Sequence, residues 1–313
     1  MRVQLAVDHK TSFCQLPLTI AERKGFFAAE GLDVRVRDFA HSEQTAQALI
    51  SGAAHVGALA YSQILSLQMQ GHELRSIVLQ GRAPQLVLGV SRSTLGRFRG
   101  MEDLRGRRVA VTALGAGSHR VAQLVLARAG LGAQDVRFRV FDGPAATANA
   151  LRTGQVDALC YHDPLVTQLE QSGDLRVVAD TRTLRGSSEV FGGTLPTTCL
   201  AVPAAWPQEQ PGLCQALANA MVLALKWLQT AGPSDLNDVL PEPYFQGDRA
   251  LYLAAFSRAR EAWVPDGLMP EAGPTVAART LARFVDAQQV QKVVLTRTYT
   301  NAFASDAKRR FRA

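Results

Sequence analysis

With 313 residues, 47% hydrophobic and 19% charged, the chain has the make-up of a globular protein with room for two domains of ~100–150 residues, and not that of a disordered or membrane one. No run approaches the ~18 apolar residues needed to span a bilayer, and Cys14, Cys160, Cys199 and Cys214 lie too far apart for a CxxC motif or a disulfide-stapled fold. The net charge of +7 comes mostly from dispersed arginines interleaved with acids and is tight only at 105–108 and 308–312, so without a nucleic-acid module it argues for attraction of small anions rather than nucleic acid.

In chain order, alternation predicts a strand at 3–8, a helix at 17–24, a strand at 32–38, a helix at 42–51, a strand at 55–59, a helix at 62–70 and a strand at 74–79. Residues 84–90 read as an extended segment leading away from this unit. A second unit then shows a strand at 107–112, a helix at 118–129, a strand, helix and strand through 160, a helix at 164–172 and a strand at 175–180. Gly186-Ser187-Ser188 and Gly192-Gly193 mark a loop-rich return. Another extended segment, 195–202, precedes helices at about 210–231, 234–240, 248–260 and 273–290 and at the terminus. The opening residues read as a first strand and carry no export signal, which fits either a cytoplasmic protein or one whose signal is missing from this sequence.

Two of these stretches match at a constant offset of 102 residues. Asp33-Val34-Arg35-Val36-Arg37, Leu49-Ile50-Ser51-Gly52 and Val56-Gly57-Ala58-Leu59 return as Asp135-Val136-Arg137-Phe138-Arg139, Leu151-Arg152-Thr153-Gly154 and Val156-Asp157-Ala158-Leu159. Each is a β–α–β unit, and alternation of this kind implies mostly parallel sheets flanked by helices. The expected fold is therefore α/β with two lobes, 1–86 plus 198–313 and 87–197. The segments 84–90 and 195–202 would be the crossovers and hinges, and a ligand cleft would lie between the lobes.

In open α/β sheets, ligands gather beyond the carboxyl ends of the strands. That rule selects the loop from His9 to Cys14, including Phe13, then His41-Ser42 and Tyr61-Ser62. From the second unit it selects Gly115-Ala116-Gly117-Ser118-His119, Asp142-Gly143-Pro144 and Tyr161-His162. At 115–119, glycine admits close backbone approach, Ser118 is placed to cap a helix, and free N–H groups suit an anion. An ordinary βα turn with Ser118 as its N-cap is the alternative. Ser42 is a plausible cap and His41 either a ligand contact or a solvated side chain. Tyr61 and Tyr161 would cover a ligand or pack in the protein. Arg82, before the first crossover, would pair with an acidic group or stand as a surface charge.

Catalytic signals are poor. A dinucleotide fingerprint needs a small residue where Arg120 stands. The six histidines include no i, i+3 or i, i+4 pair, and there is no G-x-S-x-G elbow or Walker A loop. Cys14 would be a nucleophile only if a histidine from another loop reached it.

The run from Leu16 through Val34, LPLTIAERKGFFAAEGLDV, resembles the opening motif of ABC-transporter solute-binding proteins of the nitrate/sulfonate/taurine type, a group with relatives that bind thiamine-pyrimidine precursors. Leu49-Ile50-Ser51-Gly52, the stretch 103–111, Gly117-Ser118-His119 and Thr153-Gly154-Gln155-Val156-Asp157-Ala158 resemble its later landmarks in the right order, across about residues 3–200. The resemblance implies a type II periplasmic-binding fold with Venus-flytrap closure and a periplasmic or lipoprotein location. The implied partners are a permease, an ATPase and a small anionic or zwitterionic solute. It calls for no cofactor or metal, and a monomer is expected. Carried over by position, ligand contacts fall on Phe13, Cys14, His41, Tyr61, Ser62, Gly117, Ser118, His119, Tyr161 and His162. The alternative is a pyrimidine-precursor binder or a pyrimidine-synthesising enzyme on the same scaffold, although the cysteine-rich motif of such enzymes is absent. His55 stands where relatives often carry Asp.

Overall fold

The computed structural model describes residues 1–313. From the amino terminus come β1 (Arg2–Asp8), α1 (Leu16–Arg23), α2 (Phe26–Ala29), β2 (Asp33–Phe39), α3 (Ser42–Ile50), β3 (Val56–Ala60), α4 (Tyr61–Met69) and β4 (Leu74–Leu79). The order then recurs with a strand in front: β5 (Leu86–Ser91), β6 (Arg108–Ala110), α5 (Gly117–Arg128), β7 (Arg137–Arg139), α6 (Gly143–Arg152), β8 (Ala158–His162), α7 (Leu165–Gln171) and β9 (Leu175–Asp180). After α8 (Leu184–Phe191) and β10 (Thr198–Pro203) the chain is helical, with α9 (Trp206–Glu209), α10 (Pro211–Thr230), α11 (Pro233–Val239), α12 (Arg249–Ala259), α13 (Gly273–Leu281), α14 (Ala287–Gln291) and α15 (Ala302–Phe311).

The strands form two sheets of one design. The first has the order β2-β1-β3-β10-β4 and the second β7-β6-β8-β5-β9. In each, four strands run parallel and the fourth position is antiparallel to both neighbours. The likeness extends to defects: β10 slips register against β4 between Leu200 and Ala201, and β5 slips against β9 between Leu88 and Gly89. Gly89 is required there, because a Cβ would stand 2.6 Å from the Leu175 side chain. The duplicated Asp-Val-Arg-x-Arg motif forms the outermost strands β2 and β7, whose arginines are exposed. Charge on an unpaired edge discourages edge-to-edge aggregation, so the repeat serves the sheet border.

These antiparallel strands revise the reading of 84–90 and 195–202 as bare crossovers. Residues 86–91 and 198–203 are interior members of the two sheets. The chain divides into one unit of 1–83, 193–247 and 260–313, and another of 84–192 and 248–259. The boundaries thus differ from the expected 86/87 and 197/198, and α12 groups with the second unit although its flanking helices belong to the first. There α12 packs on α7, and Arg258 pairs with Glu170. The expected loop at 186–193 also contains α8. The Thr183 hydroxyl accepts from Gly186 N–H at 3.1 Å, and Gly192, left-handed at φ 71°, closes the helix. Cap and terminator outweigh the weak helix propensity of Gly-Ser-Ser.

Candidate functional site

At the carboxyl edge of the second sheet, β6 leads through 111–116 into α5. The turn is held by its own side chains. Ser118 is buried inside the first helical turn, and its Oγ accepts from Thr112 N–H at 3.0 Å and lies 2.7 Å from Thr112 Oγ1. The cap position is Ala116, so Ser118 braces the loop instead of capping the helix. His119 Nδ1 accepts from Gly115 N–H at 2.9 Å, which leaves the ring proton on Nε2, and the ring stands edge-on to Phe138 at 4.4 Å. Burial, then the charge of Arg120, pushes the His119 pKa down, in keeping with a neutral ring. The glycine that the turn requires is Gly115, at φ 81°. A Cβ on Gly117 would make only an ordinary 3.7 Å contact with Leu86.

With Ser118 and His119 turned back on the loop, the N–H groups of Gly117, Ser118 and His119 donate to no carbonyl. They open a helix of 12 residues, where backbone dipoles leave partial positive charge. Gly117 is exposed. On the same edge Leu114 is 66% exposed and Val140, just past β7, is 48% exposed. Free donors beside apolar side chains suit an anionic group on an organic body.

Two further edge positions are of mixed character. Tyr161 is buried in the core of the second unit, with its ring 4.9 Å from that of His162, which is exposed and has Nδ1 2.9 Å from the Asp163 carbonyl oxygen. Next to them stands Arg182, which sequence reasoning missed. Its guanidinium is buried and bonds Asp163 at 3.1 Å, Glu170 at 3.2 Å and Asp180 at 2.7 Å. Burial opposes its charge, but the three carboxylates outweigh that and push its pKa up. Fully surrounded by acids, Arg182 organises this edge and offers little to a solute anion. A buried Arg in a Asp-Thr-Arg tripeptide after a strand has no distinctive sequence signal.

In the first unit the predicted residues scatter. Tyr61 is fully buried and its hydroxyl meets Thr298 Oγ1 at 2.6 Å, so the ring serves the core and does not cover the edge. Phe13 is also buried, and its carbonyl accepts from Trp263 Nε1 at 3.1 Å. Arg82 donates through Nε to the Glu261 carbonyl at 3.0 Å, with no acidic side chain as partner. Burial pushes the Cys14 thiol up to about 11, so it stays protonated; its Sγ lies 3.0 Å from Ser12 Oγ. His41 occupies the cap position of α3 and is exposed, while Ser42 is the first helical residue and makes no cap bond. Gln63 Nε2 donates to the Ser42 carbonyl at 3.0 Å and ties the start of α4, where Ser62 is half-buried, to the start of α3. His41, Ser42 and Ser62 are thus brought to one edge, with Cys14 on the neighbouring loop.

The basic run at the C-terminus is largely paired: Lys308 with Asp266 at 2.7 Å, Arg309 with Asp306, and Arg310 with Glu30 at 3.1 Å. No helix is long and apolar enough to cross a membrane.

The architecture recurs in solved proteins. A protein of Bordetella bronchiseptica RB50 is 43% identical, with TM-score 0.86 over 100% of this chain and 98% of its own. The periplasmic aliphatic sulphonate-binding protein SsuA of Escherichia coli superposes at 0.76 with 16% identity, over 96% of this chain and 98% of its own. The periplasmic nitrate-binding protein NrtA of Synechocystis PCC 6803 gives 0.70 with 14% identity, over 99% of this chain and 88% of its own. The fold is thus the α/β, two-lobed one of periplasmic-binding proteins, and residues 3–237 match the NMT1-like family, to which this chain belongs.

Proposed function

We propose that the protein is the extracytoplasmic solute-binding receptor of an ABC importer. It captures a small organic anion or zwitterion of the sulfonate or taurine kind, by closure of its two lobes, and delivers it to a permease and ATPase. The observation that carries this reading is the turn at 117–119, where three unpartnered N–H groups open α5 beside exposed Leu114. The apolar neighbours favour an organic anion over nitrate. Binding rather than catalysis agrees with the protonated Cys14 thiol and with a His119 ring engaged in holding its loop. A ligand drives closure only by its differential affinity for the closed state.

The test is a thermal-shift and calorimetric screen on protein unfolded and refolded to strip carried-over solute. Alkanesulfonates, taurine, nitrate, aromatic carboxylates and aminopyrimidines form the panel. A saturating sulfonate or carboxylate should raise Tm and reduce the radius of gyration in small-angle scattering. Turnover of any panel member, or stabilisation by none, would remove the receptor reading.

A further inference from the structure

The first sheet carries a second feature at its carboxyl edge that the anion-binding turn does not explain. Asp8 is the last residue of β1, half-buried and paired in register with Phe39 of β2. No cation pairs with its carboxylate. The nearest lysine in sequence, Lys10, is turned away: its Nζ sits 2.6 Å from Glu22, and only its backbone N–H reaches the second acid of this edge, Asp38, at 3.1 Å. Burial pushes the Asp8 pKa up; His9 opposes this and Asp38 adds to it.

The chain is shaped to keep Asp8 in this setting. His9 adopts the left-handed conformation at φ 48°, uncommon for a side chain of its size, and Ser12 N–H closes a turn onto its carbonyl at 2.8 Å. The following helical turn, Phe13–Gln15, brings the Gln15 amide back toward the Asp8 carboxyl, where it opposes the rise in its pKa. Gln15 is only 1% exposed, and its Oε1 has no hydrogen-bond partner. A half-buried carboxylate without a cation, an orphaned amide oxygen and a left-handed non-glycine residue each cost free energy, and all three meet in one loop. Both groups present acceptor oxygens, which suit a charged group that carries N–H donors.

We propose that Asp8, with Gln15 beside it, receives a protonated amine or an equivalent cationic N–H group of the solute. This rests on the receptor reading and narrows it: the solute is an amino-bearing molecule, and its cationic group is recognised by the first unit. Hydrogen bonds to charged groups are among the stronger polar contacts, so removal of this group should be felt clearly in affinity.

Matched pairs that differ in the amine alone provide the test: taurine with ethanesulfonate, 4-aminobutyrate with butyrate, and 4-aminopyrimidine with pyrimidine. Each is titrated calorimetrically into refolded wild-type protein, Asp8→Asn and Gln15→Leu. The amine should outbind its counterpart by at least about tenfold in one pair or more. Asp8→Asn should erase that preference. Gln15→Leu should reduce the preference, and it carries the test alone if Asp8→Asn fails to fold. Amine-free partners that bind as tightly as amines would overturn the inference and leave the receptor reading standing. So would a preference that survives in both variants. Binding by no member of any pair would overturn the inference together with the reading on which it rests.

Discussion

Asp157 does in the second unit what His55 does in the first, with different chemistry. His55 Nδ1 accepts from the Gln4 N–H at 3.1 Å, and its own N–H returns to the Gln4 carbonyl at 2.8 Å. Asp157 Oδ2 accepts from the Arg108 N–H at 3.0 Å, and its N–H returns to the Arg108 carbonyl at 2.9 Å. Each residue clamps the first strand of its repeat to the start of the third. Asp157 adds a two-pronged bond to the Arg108 guanidinium, with Nε and Nη2 both at 3.0 Å. The Asp-to-His departure in the first repeat therefore keeps the backbone clamp and gives up the ion pair.

The first prediction concerns that clamp. Asp157 is buried and serves three donor groups, whereas His55 serves one and is half-buried. Asp157→Ala should lower stability by about 2–3 kcal/mol and His55→Ala by about 1 kcal/mol, using typical values for charged and neutral hydrogen bonds. Urea unfolding of the two variants measures both. Equal losses would show that the guanidinium bond contributes nothing beyond the clamp.

Acid should act on the same residue. Burial pushes the Asp157 carboxyl up, but hydrogen bonds from the Arg108 side chain and backbone, with the charge of Arg108, outweigh it and hold the pKa below the ordinary carboxylate value. A carboxyl whose folded pKa is depressed contributes stability that is present above its unfolded pKa of ~3.9 and is lost as pH falls through the folded value. Wild-type stability should therefore exceed that of Asp157→Asn at neutral pH, and the gap should narrow as pH drops below ~4. A gap independent of pH would remove the ion pair as its source.

The repeat, the helix–strand alternation and the carboxyl-edge loops were legible because each is written in local periodicity. The antiparallel roles of Leu86–Ser91 and Thr198–Pro203 were not, since a short apolar run looks the same whichever neighbour it joins. Side-chain direction was the second gap. Tyr61 follows a strand at the expected edge, yet its partner is Thr298, 237 residues away, and no local pattern announces a contact of that range. Ser118 looked like a cap because Ser precedes many helices. The structure gives Thr112 its oxygen, since the helix starts one residue earlier, at Gly117. Asp8 is in sequence only the end of a strand, and nothing local shows that it lacks a cationic partner there.

The turn proposed to hold the solute's anionic group makes a third prediction. Ser118→Ala removes two buried contacts to Thr112 and should cost about 1–2 kcal/mol. It should also weaken sulfonate binding, because the brace sets where the free N–H groups point. Gly115→Ala places a side chain at φ 81° and should cost about 1 kcal/mol with a similar loss of affinity. Gly117→Ala has room beside Leu86 and should keep the fold, so any loss there reports on the solute's approach. Calorimetric titration of the three variants beside their denaturation curves separates the cases. If Ser118→Ala loses stability and retains full affinity, the brace has no bearing on binding.

Asp8 carries the last prediction, and its sign is opposite to that of Asp157. Burial, opposed by His9 and helped by Asp38, pushes its folded pKa above the unfolded value. A carboxyl raised in this way binds its proton more tightly when folded, so stability falls as pH rises from the unfolded pKa through the folded one, then levels off. Asp8→Asn keeps the shape of the side chain and removes the titration. The variant should therefore match wild type near pH 3 and become the more stable of the two by pH 7, as flanking values of that window. Thermal unfolding at several pH values reads this directly. A residue that destabilises the solute-free protein at neutral pH, while its neutral analogue removes amine preference, is retained for binding at a cost in stability. A Asp8→Asn protein less stable than wild type across the whole range would instead make Asp8 a structural acid, with its carboxylate already satisfied by the fold.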